Sequence, residues 1–167
     1  MLKAREQERW QEEQKEIRKL EEECNRALDD VRSDGRSLVM GFASRFSSDR
    51  RFILAASELN GDAIKSAPVQ FCDDFDIVMA AVRRKGAVLE HVLGYCSTAL
   101  RQDRRIMLAA VAHHGVLAIL PDEFKADRAI VWAAVSRFGG SSVRHAAASL
   151  RADREFMREV VTQGGGD

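Results

Sequence analysis

The side chains in this sequence best suited to chemistry are few and scattered. Cys24, Cys72 and Cys96 are an odd number of thiols at wide spacing, which fits neither a disulfide framework nor a zinc site and points to a reducing compartment. His91 and His145 have no carboxylate or cysteine at ligand spacing. His113 and His114 stand where a helix should end, and imidazoles there favour the helix dipole. Cys72, Asp73, Asp74 and Asp76 gather a thiol and three carboxylates, but without the spacing of a calcium loop they read as helix-capping groups. Gly139-Gly140-Ser141-Ser142 could cradle a phosphate at a helix start. No lysine follows and no strand precedes, so the stretch reads as a helix terminator. No nucleophile is paired with a base. The expectation is a protein that is not an enzyme, with no catalytic, cofactor-binding or metal-ligating residue and no cofactor.

One recurring pair asks for another explanation. Arg50, Arg104, Arg128 and Arg154 each directly follow an aspartate. A cation in the first turn of a helix opposes the dipole, so helix stability does not account for it. The expected use is a ladder in which each arginine reaches the aspartate of an adjacent unit. A row of arginines reading phosphates competes with it, but an aspartate at every step neutralises such a row.

These pairs belong to a pattern repeated five times: DRRFILAASELNG from Asp49 to Gly61, DFDIVMAAVRRKG from Asp74 to Gly86, DRRIMLAAVAHHG from Asp103 to Gly115, DRAIVWAAVSRFG from Asp127 to Gly139, and DREFMREVVTQGG from Asp153 to Gly165. Phe46, Phe71, Leu100, Phe124 and Leu150 stand three residues before the five aspartates, and successive aspartates are 25, 29, 24 and 26 residues apart. Apolar residues three, four, seven and eight places after each aspartate define one face of a helix. Asp49, Asp74, Asp103, Asp127 and Asp153 are N-caps in this reading. Gly61, Gly86, Gly115, Gly139 and Gly165 are left-handed C-caps. Helices are expected near 50–60, 75–85, 104–114, 128–138 and 154–163. Alanine pairs at the sixth and seventh places should admit a neighbouring backbone. The second and fifth places should be exposed, and they lack the side-chain combinations of a base-reading code.

After each glycine a shorter apolar stretch leads to the Phe or Leu before the next aspartate. Pro68 and Pro121 should make these second helices short and irregular, with a bulge near Gly94 to Thr98. Ten-residue helices cannot bury a face alone and must stack. The expected fold is therefore all-α: a solenoid of about five helix-pair units, period about 26, over residues 34–165, with a Gly-rich tail at 164–167. Arg158 and Glu159 replace apolar residues in the last unit, as a solvent-facing cap would require, and Gly35 with SLVMGFASRF suggests a degenerate first unit.

Residues 1–33 read as one long charged helix, with 18 charged residues among the first 32 and neither Gly nor Pro. Trp10, Ile17, Cys24 and Val31 are seven apart, joined by Leu20 and Ala27 only in the later half. The later turns are expected to dock on the repeats. The earlier ones, with Trp10 and Ile17 as anchors and Arg5, Arg9 and Glu13 on the rim, are expected to bind a protein partner.

The 167 residues carry 26 Lys plus Arg against 26 Asp plus Glu, a balance that removes the electrostatic footprint of a general nucleic-acid or anionic-membrane binder. No targeting signal is visible at the start. The uncharged run Ile106 to Leu120 is interrupted by His113, His114 and Gly115 and falls short of the roughly 20 residues needed to span a bilayer. A soluble protein is expected, with nucleic acid an unlikely partner and peripheral association with a membrane complex open.

The Asp-Arg, apolar-pair, Ala-Ala-Val, Gly pattern, clearest in DRRIMLAAVAHHG and DRAIVWAAVSRFG and next in DRRFILAASELNG, resembles family 4116 of the domains of unknown function, over roughly Gly35 to Gly165. Phe75 stands where Arg is usual, and the last unit lacks the alanine pair. The resemblance implies tandem helical repeats and assigns no activity. The functional expectation is a non-catalytic protein-binding module, an accessory or scaffold subunit of a larger assembly; the alternative is an RNA-binding helical-repeat protein.

Overall fold

Each of the five aspartates stands in front of a helix. Asp49 accepts the Arg51 amide, Asp74 those of Asp76 and Ile77, Asp103 that of Arg105, Asp127 those of Ala129 and Ile130, and Asp153 those of Glu155 and Phe156. Such a cap contributes about 1 kcal/mol. The aspartate's own amide closes the turn behind it, donating to the carbonyl of Phe46, Phe71, Leu100, Phe124 or Leu150 at 2.9–3.2 Å. The aromatic or leucine three residues upstream is thus part of the helix start, its side chain packed on or in the core.

The computed structural model describes residues 2–34, 46–85 and 87–164, and side chains within 7–32, 46–85 and 87–162. The chain is all-α, and no strand occurs among the described residues. The long α1 (Leu2–Asp34) leads to α2 (Arg50–Leu59), two 3-10 segments (Gly61–Ser66 and Val69–Asp73), α3 (Phe75–Arg83), α4 (Leu89–Tyr95), α5 (Thr98–Arg101) and α6 (Arg104–His114). Then come α7 (Asp122–Lys125), α8 (Arg128–Phe138), a third 3-10 segment (Gly140–His145), α9 (Ala148–Ala152) and α10 (Arg154–Gly164). Gly164, expected in a tail, is thus the last residue of α10. Gly35 and most of SLVMGFASRF lie outside the described residues.

The helices that follow the aspartates pack in sequence order: α2 on α3, α3 on α6, α6 on α8, α8 on α10, with α1 against α2. Third-place residues (Phe52, Ile77, Ile106, Ile130, Phe156) and seventh-place ones (Ala56, Ala81, Ala110, Ala134, Val160) are buried in all five helices. Fourth- and eighth-place residues are buried in the first four, but in α10 Met157 is half-buried and Val161 is 67% exposed. The fourth and eighth places therefore face the following helix, which α10 lacks among the described residues. Arg158 is exposed, as a solvent-facing end requires, and the part-exposed Glu159 reaches back to Arg128 at 2.7 Å, while Met157 and Val161 are the apolar residues left open there.

The alanine pairs divide in the same way. Ala56, Ala81, Ala110 and Ala134 are sealed, whereas Ala55, Ala80, Ala109 and Ala133 are half-exposed. Only the second of each pair meets a neighbour on all sides.

Three of the four connecting stretches break into two short pieces, the one between α6 and α8 holding only α7, and the prolines have a specific place in them. The residue six before Asp103 and Asp153 donates its amide to the preceding connection, Ser97 to Cys72 O at 3.0 Å and Ala147 to Lys125 O at 2.8 Å. Six before Asp74 and Asp127 stand Pro68 and Pro121, which have no N–H to give and instead open the following short segments. The extra length around Gly94 to Thr98 is taken up by a fuller helix, α4, closed by Ser97 as the N-cap of α5.

The glycines play different parts. Gly115 is left-handed at φ 67° and ends α6 with its amide on Val111 O at 2.8 Å. Gly139 has positive φ, 84°, but an extended ψ of 166°. Gly61 is not a left-handed cap: α2 ends at Asn60, and a Cβ on Gly61 would fall 2.5 Å from the Ala81 carbonyl oxygen and 2.5 Å from Ala87 Cβ. It is glycine so that the next helix can come close. The cap of α3 is Arg84, the helix ending at Arg83 rather than 85. Gly86 and Gly165 lie outside the described residues.

Candidate interaction surfaces

α1 carries one apolar line from a sealed end to a bare one. Val31 is 1% exposed and Ala27 is buried, Cys24 and Leu28 pack partly on the core, and then exposure climbs through Leu20 (38%) and Ile17 (42%) to Trp10 (60%). The docked turns meet α2. Burial against the body raises the Cys24 thiol above its usual range, with Asp49 adding to it. Arg9 and Glu13 are exposed beside the bare end; the Arg5 side chain lies outside the described residues. On a 3.6-residue helix the line is flanked by Glu13, Glu16 and Glu21, with Arg9 and Arg18 as the cations beside it. Lys15 and Lys19 lie on the far side.

A second feature runs along the helix starts. Arg50 forks onto Asp74, Nε to Oδ2 at 2.6 Å and Nη2 to Oδ1 at 2.9 Å, and also meets Asp76 at 2.6 Å. Arg104 does the same to Asp127 at 2.6 and 3.1 Å. Arg128 reaches Asp153 at 3.6 Å as well as Glu159. Each arginine thus binds the capping aspartate of the next helix, and the ions hold the carboxyls of Asp74 and Asp127 below their usual range, chiefly through these hydrogen bonds. The rung that Phe75 leaves without an arginine is rebuilt locally. Arg105 turns back onto Asp103 at 2.6 Å, and its guanidinium lies 4.2 Å over the Phe75 ring.

The third feature was not read from the sequence. The fifth-place residues, expected to be exposed, are Leu54, Met79, Leu108 and Trp132; Met79 is buried and the others half-buried. With Ala80, Ala109 and Ala112, the first three of them floor an open groove of about 1100 Å³ across α2, α3 and α6. Its rim carries Arg83, Arg84, Lys85 and His113 at the helix ends, with Glu58 and Asp76 as its acids. Asp76 is engaged by Arg50, whereas Arg83, Arg84 and Lys85 have no carboxylate partner among the described residues. His113 is held below its usual range by partial burial, and then by His114, Arg83, Arg137 and Lys85. The signal available in the sequence was the apolar residue at every fifth place of the first four units, one step off the buried stripe.

The remaining candidates have structural partners. His114 Nε2 lies 2.7 Å from the Val82 carbonyl, tying α6 to α3. His91 Nδ1 is 3.9 Å from Asp62, and Arg144 meets His145 at 2.9 Å. Asp73 takes the hydroxyl of Ser97, so the acidic cluster caps and straps helices. No group of three or more metal-ligating side chains occurs among the described residues, and no described helix is long and apolar enough to cross a membrane.

Residues 49–93 match the family described as a domain of unknown function, DUF4116. The match runs from the cap of α2 into α4. No curated protein and no solved structure matches the chain significantly.

Proposed function

We propose that this chain is a non-catalytic protein-binding module, a solenoid of about five helix-pair units that serves as an accessory or scaffold subunit and docks through α1. The observation that carries the reading is the apolar line of α1, buried at Val31 and bare at Trp10 and Ile17. A helix this polar gains little from the body over its first half, and aromatic anchors at the centre of an interface supply most of its energy. The arginine ladder supports the reading over RNA binding, because Arg50, Arg104 and Arg128 are engaged by carboxylates.

The test is affinity capture from native extract, with and without nuclease, using the full chain, a chain lacking residues 1–15, and Trp10→Ala. Removing an anchor of this kind weakens binding by about 2 kcal/mol, roughly 30-fold. The expected result is a defined set of proteins, insensitive to nuclease and lost with either variant, while the melting temperature of the truncated chain stays near that of the full one. Recovery dominated by RNA would reverse the reading, and unfolding of the truncated chain would place the segment in the core.

A further inference from the structure

The groove across α2, α3 and α6 and the bare half of α1 each have an apolar centre, and the charges beside the two are in excess of opposite sign. The groove has an apolar floor, Leu54, Met79 and Leu108, beneath the cations Arg83, Arg84 and Lys85, which have no carboxylate partner among the described residues. The helix has an apolar line, Trp10, Ile17 and Leu20, flanked by Glu13, Glu16 and Glu21 against the two cations Arg9 and Arg18, an acidic excess. Its own helix does not fill the groove: α1 is continuous from Leu2 to Asp34, is docked on α2 at its far end, and contributes no residue to the groove lining. At 1.5 Å per residue, Trp10 stands about 21 Å along the axis from Cys24.

We propose that two copies of this chain exchange their N-terminal helices, the Trp10–Glu21 stretch of each lying in the groove of the other. Three observations converge on a second copy as the occupant. The exposed line continues an interface already formed lower on the same helix. The charge bias of its flanks opposes that of the groove rim. Both halves of the contact are present in every molecule, so a reciprocal exchange covers both bare surfaces at once, as a closed two-fold pair requires. This inference rests on the reading of α1 as a docking element and names what it docks on.

The experiment is sedimentation equilibrium of the purified full chain over a concentration series, with Trp10→Asp and the double variant Arg83→Glu, Arg84→Glu. All three substitutions are at exposed sites, and circular dichroism checks that each variant is folded. The exchange expects a concentration-dependent dimer, weakened at least tenfold by either variant. When the two variants are mixed, the intact helix of one meets the intact groove of the other, so a one-to-one complex forms that neither variant forms alone. A chain that stays monomeric throughout overturns the exchange; if capture from extract still depends on Trp10, the docking reading survives that failure. A dimer lost with Trp10→Asp but kept in the groove variant overturns it in favour of helix-on-helix pairing. Binding of a polyuridylate probe that is lost in the groove variant, with the protein monomeric, assigns the groove to RNA and overturns it too.

Discussion

Ser57 is the one buried polar side chain among the described residues, 0% exposed, and its hydroxyl has no hydrogen-bond partner among them. It occupies the eighth place of α2, where α3, α6 and α8 carry Val82, Val111 and Val135, all sealed against the next helix. A hydroxyl buried without a partner costs about 1–3 kcal/mol, and alanine is the better helix former by up to about 0.7 kcal/mol. Against this stands the small void left by one oxygen atom. Ser57→Ala should therefore stabilise the fold by about 1–2 kcal/mol, which for a chain of this size raises the thermal midpoint by about 2–8 °C. The reciprocal change, Val111→Ser, removes buried methyl groups and creates the same orphaned hydroxyl, so it should destabilise by more than about 2 kcal/mol. Urea unfolding followed by helical circular dichroism measures both, the slope remaining that of the parent if only stability changes. A lower midpoint for Ser57→Ala would refute the reasoning, because it would mean that the hydroxyl makes a favourable interaction in the folded chain.

Three further outcomes follow from the packing. Ala110→Leu, at a sealed site, should overpack the seam and cost about 1–3 kcal/mol or more, while Ala109→Leu, on the groove, should cost clearly less; equal shifts in urea midpoint would contradict the division of the alanine pairs. Gly61→Ala drives a methyl into the Ala81 carbonyl and Ala87 and should lower the thermal midpoint sharply, whereas Gly94→Ala, in α4 with open space around it, should raise stability by up to about 1 kcal/mol. The carboxyls of Asp74, Asp103 and Asp127 titrate below their ordinary value. Their contribution is thus complete above about pH 4, the unfolded carboxyl range, and is lost as pH falls through the lower folded values. The midpoint of the native chain should drop below that pH. The Arg104→Gln variant, which leaves Asp127 without its forked partner, should show a smaller acid-dependent drop; an unchanged profile would remove the ladder from the pH response.

How the candidate surfaces divide between sequence and structure follows from particular residues. The line through Trp10, Ile17, Cys24 and Val31 is legible because a seven-residue spacing keeps to one side of any helix. Where along it burial stops is not legible, since that depends on where α2 ends the contact. The arginine ladder could be anticipated from a cation in an electrostatically unfavourable place. The groove left only the apolar fifth place as a trace: Leu54, Met79 and Leu108 lie in separate helices, and it takes the packing of neighbours to bring three such residues onto one floor.

By itself the sequence determined where helices begin and on which side they are apolar. Capping is a contact within a few residues, and Asp49 or Asp127 needs only the amides of its own first turn to act. Its periodicity likewise determined that third- and seventh-place residues go inside. Only the tertiary structure decided what happens at contacts between units. It made Gly61 a point of close approach rather than a left-handed cap, and it sealed Ala110 while leaving Ala109 open. It set Pro68 and Pro121 where other connections donate an amide. In each case the deciding partner lies twenty or more residues away, as the Ala81 carbonyl does from Gly61, and local rules of chain geometry carry no information about which distant group will arrive.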